Sequence, residues 1–198
     1  MNVDEFGDAF CEALATHCRK LTSFTILPRY GYWTRPGSIA TFTDRSMVAL
    51  AQLQLLNSVN VTGANITGDG LYALVVDRAN RALSNGAREY EFRIGYIHDS
   101  DSTVIDHLLF YRILQRFLER LGEETRGLEE LMGTRRVTLR LINEGGARVD
   151  EGWLLSYLET NEKLRAEVQA KHPSVVIQQT NKGRIMWGIR DFAFSLNA

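Results

Sequence analysis

The sequence predicts an α+β protein in which a mostly antiparallel sheet packs on a central buried helix at residues 102–121, with further helices flanking it. Two observations support this prediction. Segment 102–121 has apolar residues at helical spacing over more than half of its circumference, so it needs cover on two sides. Segments 89–97 and 134–142 alternate apolar with polar residues, which is typical of strands with one buried face.

The length and composition indicate one globular unit. A chain of 198 residues can bury one core, and we expect a single domain over residues 1–198. No run approaches the roughly 18 apolar residues of a membrane span, and the acidic start lacks the pattern of a signal peptide. We therefore expect a protein of the cytoplasm or of a virion that has no membrane partner.

The first half of the chain is predicted to alternate helices with short extended segments. Apolar spacing predicts helices at residues 4–21, 44–57 and 69–83. Between the last two lies a small duplication, Asn60-Val-Thr-Gly63 followed by Asn65-Ile-Thr-Gly68, which indicates extended pieces separated by glycine turns. No repeat of solenoid length is recognisable in the sequence.

The central helix has a broad apolar stripe and a basic polar strip. Phe110 and Tyr111 stand outside the stripe formed by Ile105, Leu108, Leu109, Ile113, Leu114, Phe117, Leu118 and Leu121. The strip holds Arg112, Arg116 and Arg120 one turn apart. These arginines are either a solvated face that pairs with Glu119 and Glu123, or a contact for phosphate or for an acidic partner.

The second half is predicted to contain the strands at 89–97 and 134–142, a helix at 150–171 and a final hairpin. The hairpin would pair residues 175–179 with 184–194 around a turn at 180–183.

Arginines mark two candidate contact regions. Arginine makes up 19 of the 23 basic residues, which favours bidentate contacts with carboxylate or phosphate but also fits GC-rich codon usage. In the loop PRYGYWTRPG, arginines and aromatic side chains could stack on bases or on a partner, or pin the loop to the core edge. On the strands, arginines share the polar face, where they could bind RNA, DNA or an acidic neighbour, or form cross-strand ion pairs.

No motif for catalysis or cofactor binding is present. The sequence lacks a P-loop, a complete dinucleotide fingerprint and a nucleophile elbow. Cys11 and Cys18 are predicted to be reduced and buried. The best cluster for a metal or for acid–base chemistry is His98, Asp99, Asp101, Asp106 and His107, although its acids are equally explained as helix caps.

These observations lead to one main functional hypothesis and two alternatives. The main hypothesis is a non-enzymatic subunit of a homo-oligomeric assembly, of which a viral or phage structural component is one form. The alternatives are a single-stranded nucleic-acid-binding protein and a metal-dependent hydrolase or nuclease that uses the 98–107 cluster. No cofactor or metal site is assigned, and the candidate contact residues are Arg29, Tyr32, Trp33, Arg35, Arg93, Arg112, Arg116, Arg136, Arg140, Arg184 and Arg190.

Overall fold

In a computed structural model, the described residues are 6–26, 41–62, 64–76, 86–94, 109–132, 135–143, 151–180 and 190–196. Within these ranges the chain forms six helices and one six-stranded sheet. The helices are α1 (Asp8–His17), α2 (Asp44–Ala51), α3 (Gly68–Val76), α4 (Leu109–Glu123), α5 (Leu128–Met132) and α6 (Glu151–Lys171). The strands are β1 (Ser23–Ile26), β2 (Ser58–Thr62), β3 (Arg88–Ile94), β4 (Val137–Asn143), β5 (Val175–Thr180) and β6 (Arg190–Leu196).

The sheet is mixed, so the prediction of a mostly antiparallel sheet was wrong. Its strand order is β1-β2-β3-β4-β6-β5. Strands β1 to β4 are parallel neighbours, and only the β4–β6 and β6–β5 pairs are antiparallel. The prediction failed because strands with one polar face usually belong to antiparallel sheets, whereas parallel sheets are usually covered on both faces. The combination of helices and strands was predicted correctly.

The helices form one layer on one face of the sheet. Contacts run in a row from α1 through α2, α3 and α4 to α6. At one end of this layer the Phe10 ring of α1 lies 6.5 Å from Phe24 of β1, centroid to centroid. Towards the other end the Phe117 ring of α4 lies 5.6 Å from Phe194 of β6. The core therefore fills the space between this layer and one side of the sheet.

Helix α4 is the described part of the predicted central helix, and residues 102–108 lie outside the described residues. Its cover on two sides is confirmed, because it contacts α3 and α6 within the helix layer and reaches the sheet through Phe117. Phe110 and Tyr111, which we expected outside the apolar stripe, are both buried. The Tyr111 ring faces the Tyr157 ring of α6 at 6.4 Å, so the neighbouring helix widens the buried surface of α4.

Two identical hydrogen-bonded clasps join the first three helices. Asp8, in the first turn of α1, accepts hydrogen bonds from the backbone nitrogen and hydroxyl of Thr43 at 2.9 and 2.7 Å. Asp44, in the first turn of α2, accepts the same two bonds from Thr67 at 2.7 and 2.6 Å. Each threonine precedes the next helix, and its hydroxyl also accepts a backbone N–H two residues later. We call these contacts the Asp–Thr clasps.

Two glycines allow the close approach of α3 to its neighbours. A Cβ atom on Gly68 would overlap the backbone of α4 at Phe117, and one on Gly70 would overlap the Asp44 carboxylate. Glycine is required at these positions because any side chain would push α3 away from both helices.

The final antiparallel pair was predicted, but its turn was misplaced. Strand β5 pairs with β6, and the register sets Thr180 opposite Asp191. A turn at residues 180–183 would instead set Thr180 opposite Gly183. The described register is therefore incompatible with a turn at residues 180–183, and residues 181–189 lie outside the described residues.

Candidate contact surface

The face of the sheet opposite the helices carries polar side chains on four adjacent strands. Alternation along β1, β2 and β3 sends apolar residues to the helices and the residues between them to this side. On β4, Ile142 is an apolar exception that is buried on this side next to Arg93. We call this surface the open face and define it by Ser23 and Thr25 of β1, Ser58, Asn60 and Thr62 of β2, Glu89, Glu91 and Arg93 of β3, and Thr138 and Arg140 of β4. Most of these residues are exposed or half-buried, and Thr62 is buried.

Glu91 lies at the centre of the charged part of the open face. Its carboxylate is 3.4 Å from Arg93 Nε on the same strand and 3.7 Å from Arg140 Nη1 on β4. The Glu91 side chain is 22% exposed, whereas those of Arg93 and Arg140 are 40% and 47% exposed. One carboxylate thus faces two guanidinium groups through long, solvated ion pairs, which contribute little to stability. With the exposed Glu89, the described open face carries two acidic and two basic side chains.

Small hydroxyl and amide groups surround this centre. In the sheet, Asn60 lies beside Glu91, and Ser58 and Thr138 lie on the two sides of Glu89. The Asn60 Oδ1 and Thr62 Oγ1 atoms are buried without a hydrogen-bond partner. Within the described part of the open face no side chain is aromatic, so this part offers hydrogen bonds and charge but no stacking surface.

Two of the three arginines in the basic strip of α4 pair with acidic residues of the same chain. Arg116 Nε donates to both carboxylate oxygens of Asp69 on α3, at 3.0 and 2.9 Å, and this hydrogen bonding raises the pKa of Arg116 above its usual value. Arg120 Nη1 lies 2.9 Å from Glu123, and its guanidinium lies over the Tyr72 ring at 4.7 Å. For Arg116 and Arg120, these contacts agree with the first of the two alternatives, a solvated face that forms ion pairs within the chain. Asp69 is a partner that the sequence analysis did not name.

The other predicted contact residues are divided between exposed and undescribed positions. Arg112 is exposed, with Nε 3.4 Å from the Tyr157 hydroxyl, and Arg136 is exposed just before β4. Arg190 begins β6, and its side chain is outside the described part of the chain. Outside the described residues altogether are Arg29, Tyr32, Trp33, Arg35 and Arg184.

The residues proposed for catalysis are also outside the described ranges. This applies to His98, Asp99, Asp101, Asp106 and His107, so the hydrolase alternative stays a prediction. In the part of the chain that is described, no three His, Cys, Asp or Glu residues form a group able to hold a metal. None of the described helices has the length and apolar character that a membrane crossing requires.

The two cysteines differ in their surroundings. Cys11 is buried as predicted, and burial raises the pKa of its thiol to about 11, so the thiolate nucleophile is suppressed at neutral pH. Cys18 is exposed, contrary to prediction, because α1 ends at His17 and Cys18 no longer lies on the helical face of Cys11.

Sequence reasoning missed a buried arginine and the acids that connect the helices. Arg88 is almost fully buried, and its Nη2 donates to the Gln54 carbonyl at 2.7 Å. Arg88, Tyr90 and Phe92 are alternate residues of β3, so the period of two in a strand could have predicted that Arg88 lies on the buried face. For the Asp–Thr clasps, the available signal was a threonine directly before α2 and α3, which the sequence analysis did not use.

Comparison with known proteins adds no functional information, since the chain matches no family model and no curated protein is detectably similar to it.

Proposed function

We propose that this protein is a non-enzymatic assembly subunit that binds a neighbouring protein chain through the open face. The observation that carries the proposal is the one-sided helix layer, which leaves four adjacent strands with their polar residues uncovered by any described helix. Parallel sheets are normally covered on both faces. A polar face of this extent therefore favours a role in contacts with groups outside the described helices and strands.

The arrangement of β1 to β4 supports a binding role. These parallel strands follow one another in chain order, as in solenoid proteins, which bind partners through an extended sheet face. The segment that contains β2 also has the spacing of a leucine-rich repeat, in which a strand and a helix form each unit. The positions that match this spacing are all buried: Leu56, Val59, Val61, Ala64 and Ile66.

The recurrence continues in the neighbouring strands. In the sheet, two rows of buried apolar residues cross all four strands at the same register: Phe24, Val59, Tyr90 and Leu139 in one row, and Ile26, Val61, Phe92 and Leu141 in the next. The Asp–Thr clasps repeat between α1, α2 and α3 in the same way. The spacing between units varies, which explains why no repeat was recognisable in the sequence.

The chemistry of the open face favours a partner with acidic side chains. The Arg140 side chain is 47% exposed beside Glu91, and Arg136 is exposed just before β4, so both guanidinium groups are accessible to a partner. Arginine is enriched at protein interfaces, where it forms planar contacts with carboxylates. The hydroxyl groups of Ser58 and Thr138 on the same face would add hydrogen bonds that orient the partner.

Nucleic acid is the less favoured partner. The formal net charge of the chain is −1, and single-strand binders combine a basic groove with aromatic side chains on which bases stack. The described open face has no such aromatic residue. A homo-oligomeric state and a location in the cytoplasm or in a virion stay predictions.

The proposal is tested by affinity capture with three purified baits. These are the wild type, the double variant Arg93→Glu with Arg140→Glu, and the control Arg45→Glu, whose side chain is 72% exposed on helix α2. The lysate comes from the source of the sequence and is used in parallel with and without nuclease treatment. A captured protein is then purified, and its affinity for each bait is measured by calorimetry.

We expect one protein whose affinity falls at least about tenfold with the double variant and stays unchanged with Arg45→Glu, as expected for loss of a charged interface contact. Equal affinity for all three baits would show that the open face is not the contact surface. Capture that disappears after nuclease treatment would replace the protein partner with nucleic acid.

A further inference from the structure

We infer that strand β5 is a self-pairing edge, through which a second copy of this chain extends the sheet. This strand ends the strand order, and β6 is its one neighbour among the described strands. Its sequence, Val-Val-Ile-Gln-Gln-Thr, contains no charge, proline or glycine. Six-residue segments of high β-propensity and low charge pair readily with identical copies of themselves.

The two edge strands differ in length within the described residues, and neither contains a lysine or a proline there. Strand β1 has four residues, and short edge strands are one way in which proteins avoid edge-to-edge association. Strand β5 has six residues, three of which are β-branched aliphatic side chains in succession. None of its six residues is a lysine or a proline, the residues that commonly protect an edge.

The side-chain directions of β5 determine how a second copy would pair. Val175 and Ile177 are buried on the helix side, whereas Val176 is half-buried and Gln178 is exposed on the other side. Residues directly opposite each other in an antiparallel pair point to the same face. A register with Ile177 opposite its symmetry mate sets Val176 opposite Gln178, and therefore keeps both helix layers on the same side.

Symmetry favours a second copy over an unrelated strand. Antiparallel pairing of β5 with itself generates a two-fold axis, and a contact of this type closes after two copies. Because the strand is uncharged, no like charges meet across the axis. This contact lies at the far edge from β1 and does not use the residues that define the open face.

The test is the mass of the purified full chain in solution, measured by light scattering after gel filtration. We expect the wild type at twice the 22.4 kDa of one chain. The variant Val176→Lys with Gln178→Lys sets lysines opposite lysines and is expected to run as a monomer. A matched control, Ser23→Lys with Thr25→Lys, charges the opposite edge strand and is expected to stay dimeric.

A mixing experiment separates loss of pairing from loss of folding. The variant Val176→Glu with Gln178→Glu is also expected to be monomeric, and an equimolar mixture with the lysine variant should recover the dimer mass. A monomeric wild type, a dimeric lysine variant or a mixture that stays monomeric would each overturn the inference. Arg93→Glu with Arg140→Glu should remain dimeric, so failure of the open-face proposal is distinguishable from failure of this one.

Discussion

The two faces of strand β4 place neighbouring residues in opposite environments. Leu139 is fully buried against the helices, whereas the side chain of Arg140 is 47% exposed on the open face. The same division runs along β3, where Tyr90 and Phe92 are buried and Glu91 faces outward. Backbone pairing is the same for both faces, so the difference in burial indicates that packing stabilises this sheet mainly from the helix-covered side.

The largest expected effect is on the helix-covered face. Leu139→Ala removes a fully buried side chain from the centre of the sheet and leaves a cavity. We expect the free energy of unfolding to fall by about 2–5 kcal/mol, measured by urea denaturation followed by circular dichroism. A loss below about 1 kcal/mol, a typical cost of removing a single buried methyl group, would mean that this side of the sheet is not a packed core.

An intermediate effect is expected at the clasp between α1 and α2. The hydroxyl oxygens of Thr43 and Ser46 lie 2.7 Å from different carboxylate oxygens of Asp8. Asp8→Asn replaces one of these acceptor oxygens with an NH2 donor and removes the charge. We expect a loss of about 1–2 kcal/mol at pH 7, typical of a helix-cap contact. Glu12→Gln is the matched control on the same helix, because the ion pair of Glu12 with the 72%-exposed Arg45 is solvated.

The effect at Asp8 should depend on pH in a defined direction. Partial burial by itself raises the pKa of the Asp8 carboxylate, but the hydrogen bonds from Ser46 and Thr43 together outweigh burial and lower the pKa below its usual 3.8. The unfolded state therefore takes up this proton first, and the stabilisation is present above pH 3.8 and lost as the pH falls through the folded-state pKa. The stability difference between wild type and Asp8→Asn should shrink in acid, and a difference that grows there would contradict the assignment.

The smallest expected effect is on the open face. Arg140→Gln breaks one long, solvated contact with Glu91, so the free energy of unfolding should change by no more than about 0.5 kcal/mol. The measurement is the same urea titration used for Leu139→Ala, its neighbour in sequence. A fall in the free energy of unfolding comparable to that of Leu139→Ala would mean that Arg140 stabilises the fold, and would contradict its assignment as a contact residue for a partner.

Local patterns in the sequence predicted the elements well. The stripe of Ile113, Phe117 and Leu121 predicted a buried helix because each apolar side chain recurs on one face at helical spacing. The alternation in β3 and β4 likewise predicted strands with one buried face. Pairing direction was not predictable in this way, since alternation fixes only which side of a strand is buried and not whether its neighbour is parallel.

Candidate contacts were predictable only in part. Arg93 and Arg140 were placed on a polar strand face by alternation alone. The partners of Arg116 were not fully predictable, because Asp69 is 47 residues away and reaches α4 only through the packing of α3. The same holds for Asp8 and Thr43, which are 35 residues apart.

By itself, the sequence determined the position of the helices and strands and the side of each strand that avoids water, because both follow from the spacing of apolar residues within a few turns or pleats. Only the tertiary structure decided that the first four strands run parallel, that every contacting helix in the described row lies on one face, and that Glu91 is shared between two arginines. These features depend on contacts between residues far apart in the chain, and such contacts produce no repeating apolar pattern in the sequence.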